Sequence, residues 1–104
     1  MLEIVNSLLI LPGGKTLITN VDMSGIGVTT WTFNSPVVVT GGNSPQFEID
    51  DGGGFVPASF TTQVTDRTVS IGFPTGAPGI SWRVLTPPAN MTFVRPFTTP
   101  VSGS

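Results

Sequence analysis

The stretch Ser59-Phe60-Thr61-Thr62-Gln63-Val64, then Thr65-Asp66-Arg67, then Thr68-Val69-Ser70-Ile71-Gly72-Phe73 decides the fold of this chain. In the first part Phe60, Thr62 and Val64 alternate with Thr61 and Gln63; in the last, Val69, Ile71 and Phe73 alternate with Ser70 and Gly72. Successive side chains of a strand point to opposite faces, so an alternation of period two predicts strands. A short polar link between two such runs predicts a hairpin. The same period recurs outward from this segment. Ile80, Trp82 and Val84 alternate with Ser81 and Arg83, Trp31 and Phe33 with Thr30 and Thr32, and Phe47 and Ile49 with Gln46, Glu48 and Asp50. One buried and one wet face per strand predicts antiparallel sheets.

Thirteen glycines and ten prolines punctuate the 104 residues, and no window keeps a helical period without meeting one of them. The predicted strands are Glu3–Leu11, Thr16–Val21, Gly27–Phe33, Val37–Thr40, Gln46–Ile49, Ser59–Val64, Thr68–Phe73, Gly79–Leu85 and Met91–Val94, with a turn at Pro12-Gly13-Gly14-Lys15. About eight short strands in this length predict an all-β, antiparallel two-sheet sandwich, with a small barrel as the alternative. Residues 1–86 are read as the sandwich domain and residues 87–104 as an extended C-terminal segment. The latter holds Pro87, Pro88, Pro96 and Pro100, poor material for a central strand. It also carries Met91, Phe93, Val94, Phe97 and Val101, which need a surface to cover: their own domain, or a neighbouring subunit reached by an arm.

Composition narrows the function. Charged residues make up 10% of the chain, against roughly 25% in ordinary soluble domains. Mean hydropathy is +0.31. The net charge is −2, and the four basic residues, Lys15, Arg67, Arg83 and Arg95, are dispersed. Nucleic-acid binding needs clustered cations, so it is not expected. Without cysteine there are neither disulfides nor thiolate metal sites, and without histidine or tyrosine most catalytic constellations are gone. The apolar start, Met1–Leu11, has Glu3 where a signal peptide carries positive charge, and its run Leu8–Leu11 is short. No stretch is long enough for a membrane-spanning helix. The chain therefore reads as complete, soluble and not exported.

Candidate sites are few. Glu48, Asp50 and Asp51 precede Gly52-Gly53-Gly54 and are candidate calcium ligands, since calcium takes several oxygens from a flexible loop. They do not follow the spaced acidic pattern of an EF-hand, and Asp and Gly are turn residues in their own right. As a carboxylate pair for glycoside hydrolysis, they lack any inferable aromatic cleft. Pro12-Gly13-Gly14-Lys15-Thr16 lacks the spacing and the following helix of a phosphate loop. Trp31 and Trp82 sit on the apolar parity of their strands and are read as core rather than as a sugar platform. Phe55, between the glycines and Val56-Pro57, is expected at an exposed loop tip.

The run Val28-Thr29-Thr30-Trp31-Thr32-Phe33-Asn34-Ser35-Pro36-Val37 resembles the strand and turn of bacterial Ig-like repeats. The hairpin Ser59–Phe73 suits the same fold, and together the likeness covers about half the chain. The resemblance implies an Ig-like sandwich of the kind found in bacterial surface proteins and in tailed-phage virions. It transfers no functional residue.

The expected function is a non-enzymatic structural subunit without cofactors: a small virion component, such as a capsid decoration or another head or tail protein, assembled in the host cytoplasm. It would reinforce a lattice through strand edges and its arm, contacting copies of itself or other virion proteins through Leu2, Ile4, Phe93, Phe97 and Val101. The alternative is a carbohydrate- or cell-surface-binding module using Trp31 or Phe55 with the acidic loop.

Overall fold

The computed structural model describes residues 14–104. Every regular element among them is a strand: β1 (Ile18–Asp22), β2 (Val28–Phe33), β3 (Val37–Val39), β4 (Phe47–Asp50), β5 (Phe55–Pro57), β6 (Phe60–Thr65), β7 (Thr68–Gly72), β8 (Ser81–Val84), β9 (Met91–Phe93) and β10 (Val101–Gly103). One sheet has the order β1-β2-β7-β6, a second β10-β8-β4-β5, and β9 and β3 form a two-stranded ribbon. All pairings are antiparallel. The expected sandwich is present, as is the β6–β7 hairpin with its turn at Asp66 and Arg67.

The core lies where the alternating faces of the two four-stranded sheets meet. Trp31, Phe33, Val69 and Ile71 come from one sheet, and Phe47, Ile49, Trp82 and Val84 from the other. Trp31 is fully buried at the centre. It makes edge-to-face contacts with Phe47 at 4.9 Å and Trp82 at 5.3 Å between ring centroids, the geometry that the aromatic quadrupole favours. Its indole N–H would be costly to bury unpaired. It donates to Thr29 Oγ1 (2.6 Å), and that hydroxyl in turn donates to the Ile71 carbonyl (2.9 Å).

One lateral side of the sandwich is closed by the chain itself. Between β5 and β6, Ala58 N–H donates to the Phe47 carbonyl in one sheet and Ser59 N–H to the Gly72 carbonyl in the other. The ribbon is tied to β6 by a side chain. Gln63 Oε1 accepts from Val39 N–H (2.8 Å), and its Nε2 donates to the Val37 carbonyl (3.0 Å) and the Thr65 carbonyl (2.5 Å). This amide takes the place of a backbone unit between two strand edges.

Several expectations need correction. β5 falls where the sequence predicts loop, because Gly52-Gly53-Gly54 and Pro57 hide a three-residue strand; at a sheet edge Pro57 needs no ladder partner on its outer side. Phe55 is therefore half-buried in a strand and not a loop tip. The Pro-rich segment 87–104 lies against its own domain. It supplies β9, paired with β3, and β10, an edge strand paired with β8. Phe93 and Phe97 stack at 4.8 Å and both meet the edge of Phe33. The alternation of β6 is inverted: Thr61 is buried, whereas Phe60 and Val64 face outward. Gly72 is the reason for Phe60, because a side chain there would occupy the space of the Phe60 ring. The expected strand Glu3–Leu11, with Leu2 and Ile4, lies outside the described residues.

Candidate functional site

The acidic cluster is not gathered around a common point. Glu48 lies on β4 opposite Arg83 of β8, and Arg83 Nε donates to Glu48 Oε1 at 2.6 Å. The guanidinium carbon also sits 3.9 Å from the Phe55 ring centroid. Phe55, Arg83 and Glu48 thus form a layered cation–π and ion-pair cluster across three neighbouring strands. Asp50 is used by its turn: its Oδ1 accepts from Gly52 N–H (2.7 Å) and Gly54 N–H (3.1 Å). Asp51 Oδ1 accepts from Gly53 N–H (3.1 Å). Gly52 and Gly54 have φ of 109° and 111°, which side-chain-bearing residues rarely adopt. The geometry is that of a self-capped turn. Among the described residues, no three Asp, Glu, His or Cys side chains come together as a cation site.

The aromatic platform is also absent where the alternative reading put it. Trp31 is sealed in the core with its N–H satisfied, so it cannot stack on a sugar. Phe93, Phe97 and Val101 are half-buried against their own core. Lys15 is exposed.

What sequence reasoning missed is the second lateral side of the sandwich, where the edges β1 and β10 face one another and, among the described residues, no chain crosses between them. A continuous groove follows these edges. Its mouth, about 360 Å³, lies among Leu17, Ile18, Phe97, Pro100 and Val101. A middle section of about 210 Å³ runs along Ile18–Val21 with Trp82 and Gly103. The far end, about 520 Å³, lies among Val21, Met23, Gly79, Ile80 and Ser104. Gly103 lets β10 lie close to the Trp82 ring, since a side chain there would meet the indole. Thr16 anchors the mouth: its N–H donates to the Pro96 carbonyl (2.7 Å) and its hydroxyl to the Arg95 carbonyl (2.6 Å). At the far end Asp22 accepts from Ser24 Oγ (2.6 Å) and Ser24 N–H (3.0 Å), which holds its carboxyl below the ordinary aspartate range. No alternation pattern could have revealed this groove, because it arises where two sheets end.

No helix among the described residues is long and apolar enough to cross a membrane. The chain matches no protein-family model, no curated protein and no solved structure.

Proposed function

We propose that this protein is a non-enzymatic structural subunit, a small component of a tailed-phage virion such as a capsid decoration or another head or tail protein. It has an Ig-like sandwich that reinforces an assembly by contact with copies of itself. The observation that carries this reading is the outward apolar surface of a chain with little charge. Leu17, Ile26, Val28, Val38, Phe60, Val64, Ile80, Leu85 and Val94 are all exposed. Two of them adjoin: Val28 and Phe60 both pair with Gly72, so their side chains flank a position that has none. Apolar surface of this kind marks interaction sites when it is contiguous. Strand order supports the Ig-like reading. The sheet β1-β2-β7-β6 follows the order A-B-E-D of an immunoglobulin domain, and β10-β8-β4-β5 follows G-F-C-C′. In that correspondence Trp31 and Trp82 lie on strands B and F, which antibody domains join by a disulfide; here an aromatic pair spans the sheets instead.

Sedimentation equilibrium over a rising concentration series tests the proposal. The expected result is an average mass that climbs above the single chain, and that falls back to it in Phe60→Asp with Val28→Asp. A single-chain mass at every concentration refutes self-assembly.

A further inference from the structure

We propose that the Asp51–Gly52 peptide is a self-modifying site: in the folded chain it closes to a succinimide and reopens to isoaspartate, with Asp50 carrying the proton. Aspartate reacts in this way when the backbone nitrogen of the next residue attacks its side-chain carboxyl, and a side chain on that next residue stands in the way, whereas glycine permits the close approach. Asp22 is followed by Met23, Asp50 by Asp51 and Asp66 by Arg67; Asp51 alone is followed by glycine. Gly52, Gly53 and Gly54 are exposed. Apart from the chain neighbours of Gly52, no heavy atom among the described residues comes within 4 Å of the place where its Cβ would stand. A five-membered ring therefore has room to form.

The turn already holds the groups that the reaction needs. The Gly52 N–H donates to Asp50 Oδ1 at 2.7 Å. An N–H bond lies in the peptide plane, so this hydrogen bond leaves the face of the nitrogen open to the Asp51 carboxyl carbon and gives the departing proton an acceptor. The Gly53 N–H donates to Asp51 Oδ1 at 3.1 Å. That bond closes a ring around the Asp51–Gly52 peptide, which folds the carboxyl back toward the nitrogen it joins. It also supplies a donor to the oxygen that becomes negative as the nitrogen adds. The Gly54 N–H, on Asp50 Oδ1 at 3.1 Å, fixes the proton acceptor in place.

The step balances within the chain. The Asp51 carboxyl reacts as the acid. The Gly52 nitrogen forms a bond to Cγ, its proton passes to the Asp50 carboxylate and on to the leaving hydroxyl, and one water departs. Water then adds to one of the two imide carbonyls. Addition at Cγ restores aspartate; addition at the main-chain carbon leaves isoaspartate, whose backbone is longer by one methylene. This turn joins β4 to β5, where Asp50 pairs with Phe55. The extra methylene draws the Gly52 and Gly54 N–H groups off Asp50, so conversion loosens β5 and the stacking of Phe55 on Arg83.

The test ages the full chain for weeks, folded and in guanidinium, as the native sequence and as Asp50→Asn. Asparagine still accepts from Gly52 and Gly54 but does not take up a proton. Isoaspartate is counted by an isoaspartyl methyltransferase with labelled S-adenosylmethionine and located by peptide mass mapping. Ageing in heavy-oxygen water marks the site, because each conversion inserts one oxygen from solvent. The expected result is isoaspartate at residue 51, formed about tenfold or more faster in the folded than in the unfolded chain, with Asp50→Asn lowering the folded rate by a similar factor and leaving the unfolded rate unchanged. Isoaspartate missing from residue 51, or formed no faster in the folded chain, overturns the proposal. So does a folded Asp50→Asn variant that converts as fast as the native protein. The comparison of folded with unfolded chain needs only the native sequence, so it decides the outcome whether or not the variant folds.

Discussion

Gln63 gives the most informative single perturbation. Its side-chain amide makes three hydrogen bonds: two join β6 to β3, accepting from Val39 N–H and donating to the Val37 carbonyl, and the third donates to the Thr65 carbonyl within β6. A net hydrogen bond contributes about 0.5–1.5 kcal/mol. Gln63 is exposed, so water can replace part of what is lost. Gln63→Ala should therefore cost about 1–2 kcal/mol, toward the low end of the three-bond sum. Gln63→Glu separates the donor role from the acceptor role. An ionised carboxylate still accepts from Val39 but turns a negative oxygen on two carbonyls, whereas the protonated acid can donate to one of them. The folded state thus favours the protonated form, and the pKa of the introduced carboxyl should lie above its unfolded value of about 4.3. The sign follows: the variant is closest to native stability below that value and loses ground as pH rises through the raised folded pKa. Urea denaturation at pH 4 and pH 7, with the native protein as reference at each pH, measures both effects. A Gln63→Ala cost below about 0.3 kcal/mol would refute the bridging role. So would a Gln63→Glu penalty that is the same at both pH values.

Further expectations follow from the core, the turn and the sheet face. Trp31→Ala should cost about 3–5 kcal/mol by denaturant unfolding. Thr29→Val should cost about 1–3 kcal/mol because it strands the buried indole N–H of Trp31. The Asp22 carboxyl should titrate below ordinary aspartate by NMR. Ser24→Ala should raise it, and the small stability it lends is lost as pH falls through its depressed folded value. A double-mutant cycle on Glu48 and Arg83 should give a coupling of about 0–1 kcal/mol, because both side chains are partly open to solvent. Arg83→Lys should lose most of the stacking on Phe55, measured as a destabilisation in the native background that shrinks in a Phe55→Ala background.

Alternation by itself determined the strands that build the core. Trp31 with Phe33, Phe47 with Ile49, Val69 with Ile71 and Trp82 with Val84 all lie on the buried parity read from the sequence. Their period of two leaves one face for the core whatever the neighbours are. The fate of the acidic loop was partly legible too, because Asp and Gly cap turns locally and need no distant partner. What depends on residues far apart in the chain was decided by the tertiary structure. Phe60 faces outward because Gly72, across the sheet, leaves room for its ring. Phe55 becomes part of a strand because β4 offers an edge and Arg83 a cation to cover it. The Pro-rich tail joins the domain because Phe33 and β8 offer surfaces that no local pattern announces. The groove between β1 and β10 belongs to the same class. Two sheet edges meet there through packing over Trp31 and Trp82, and side-chain periodicity records which face a residue takes, not which edges a fold leaves open.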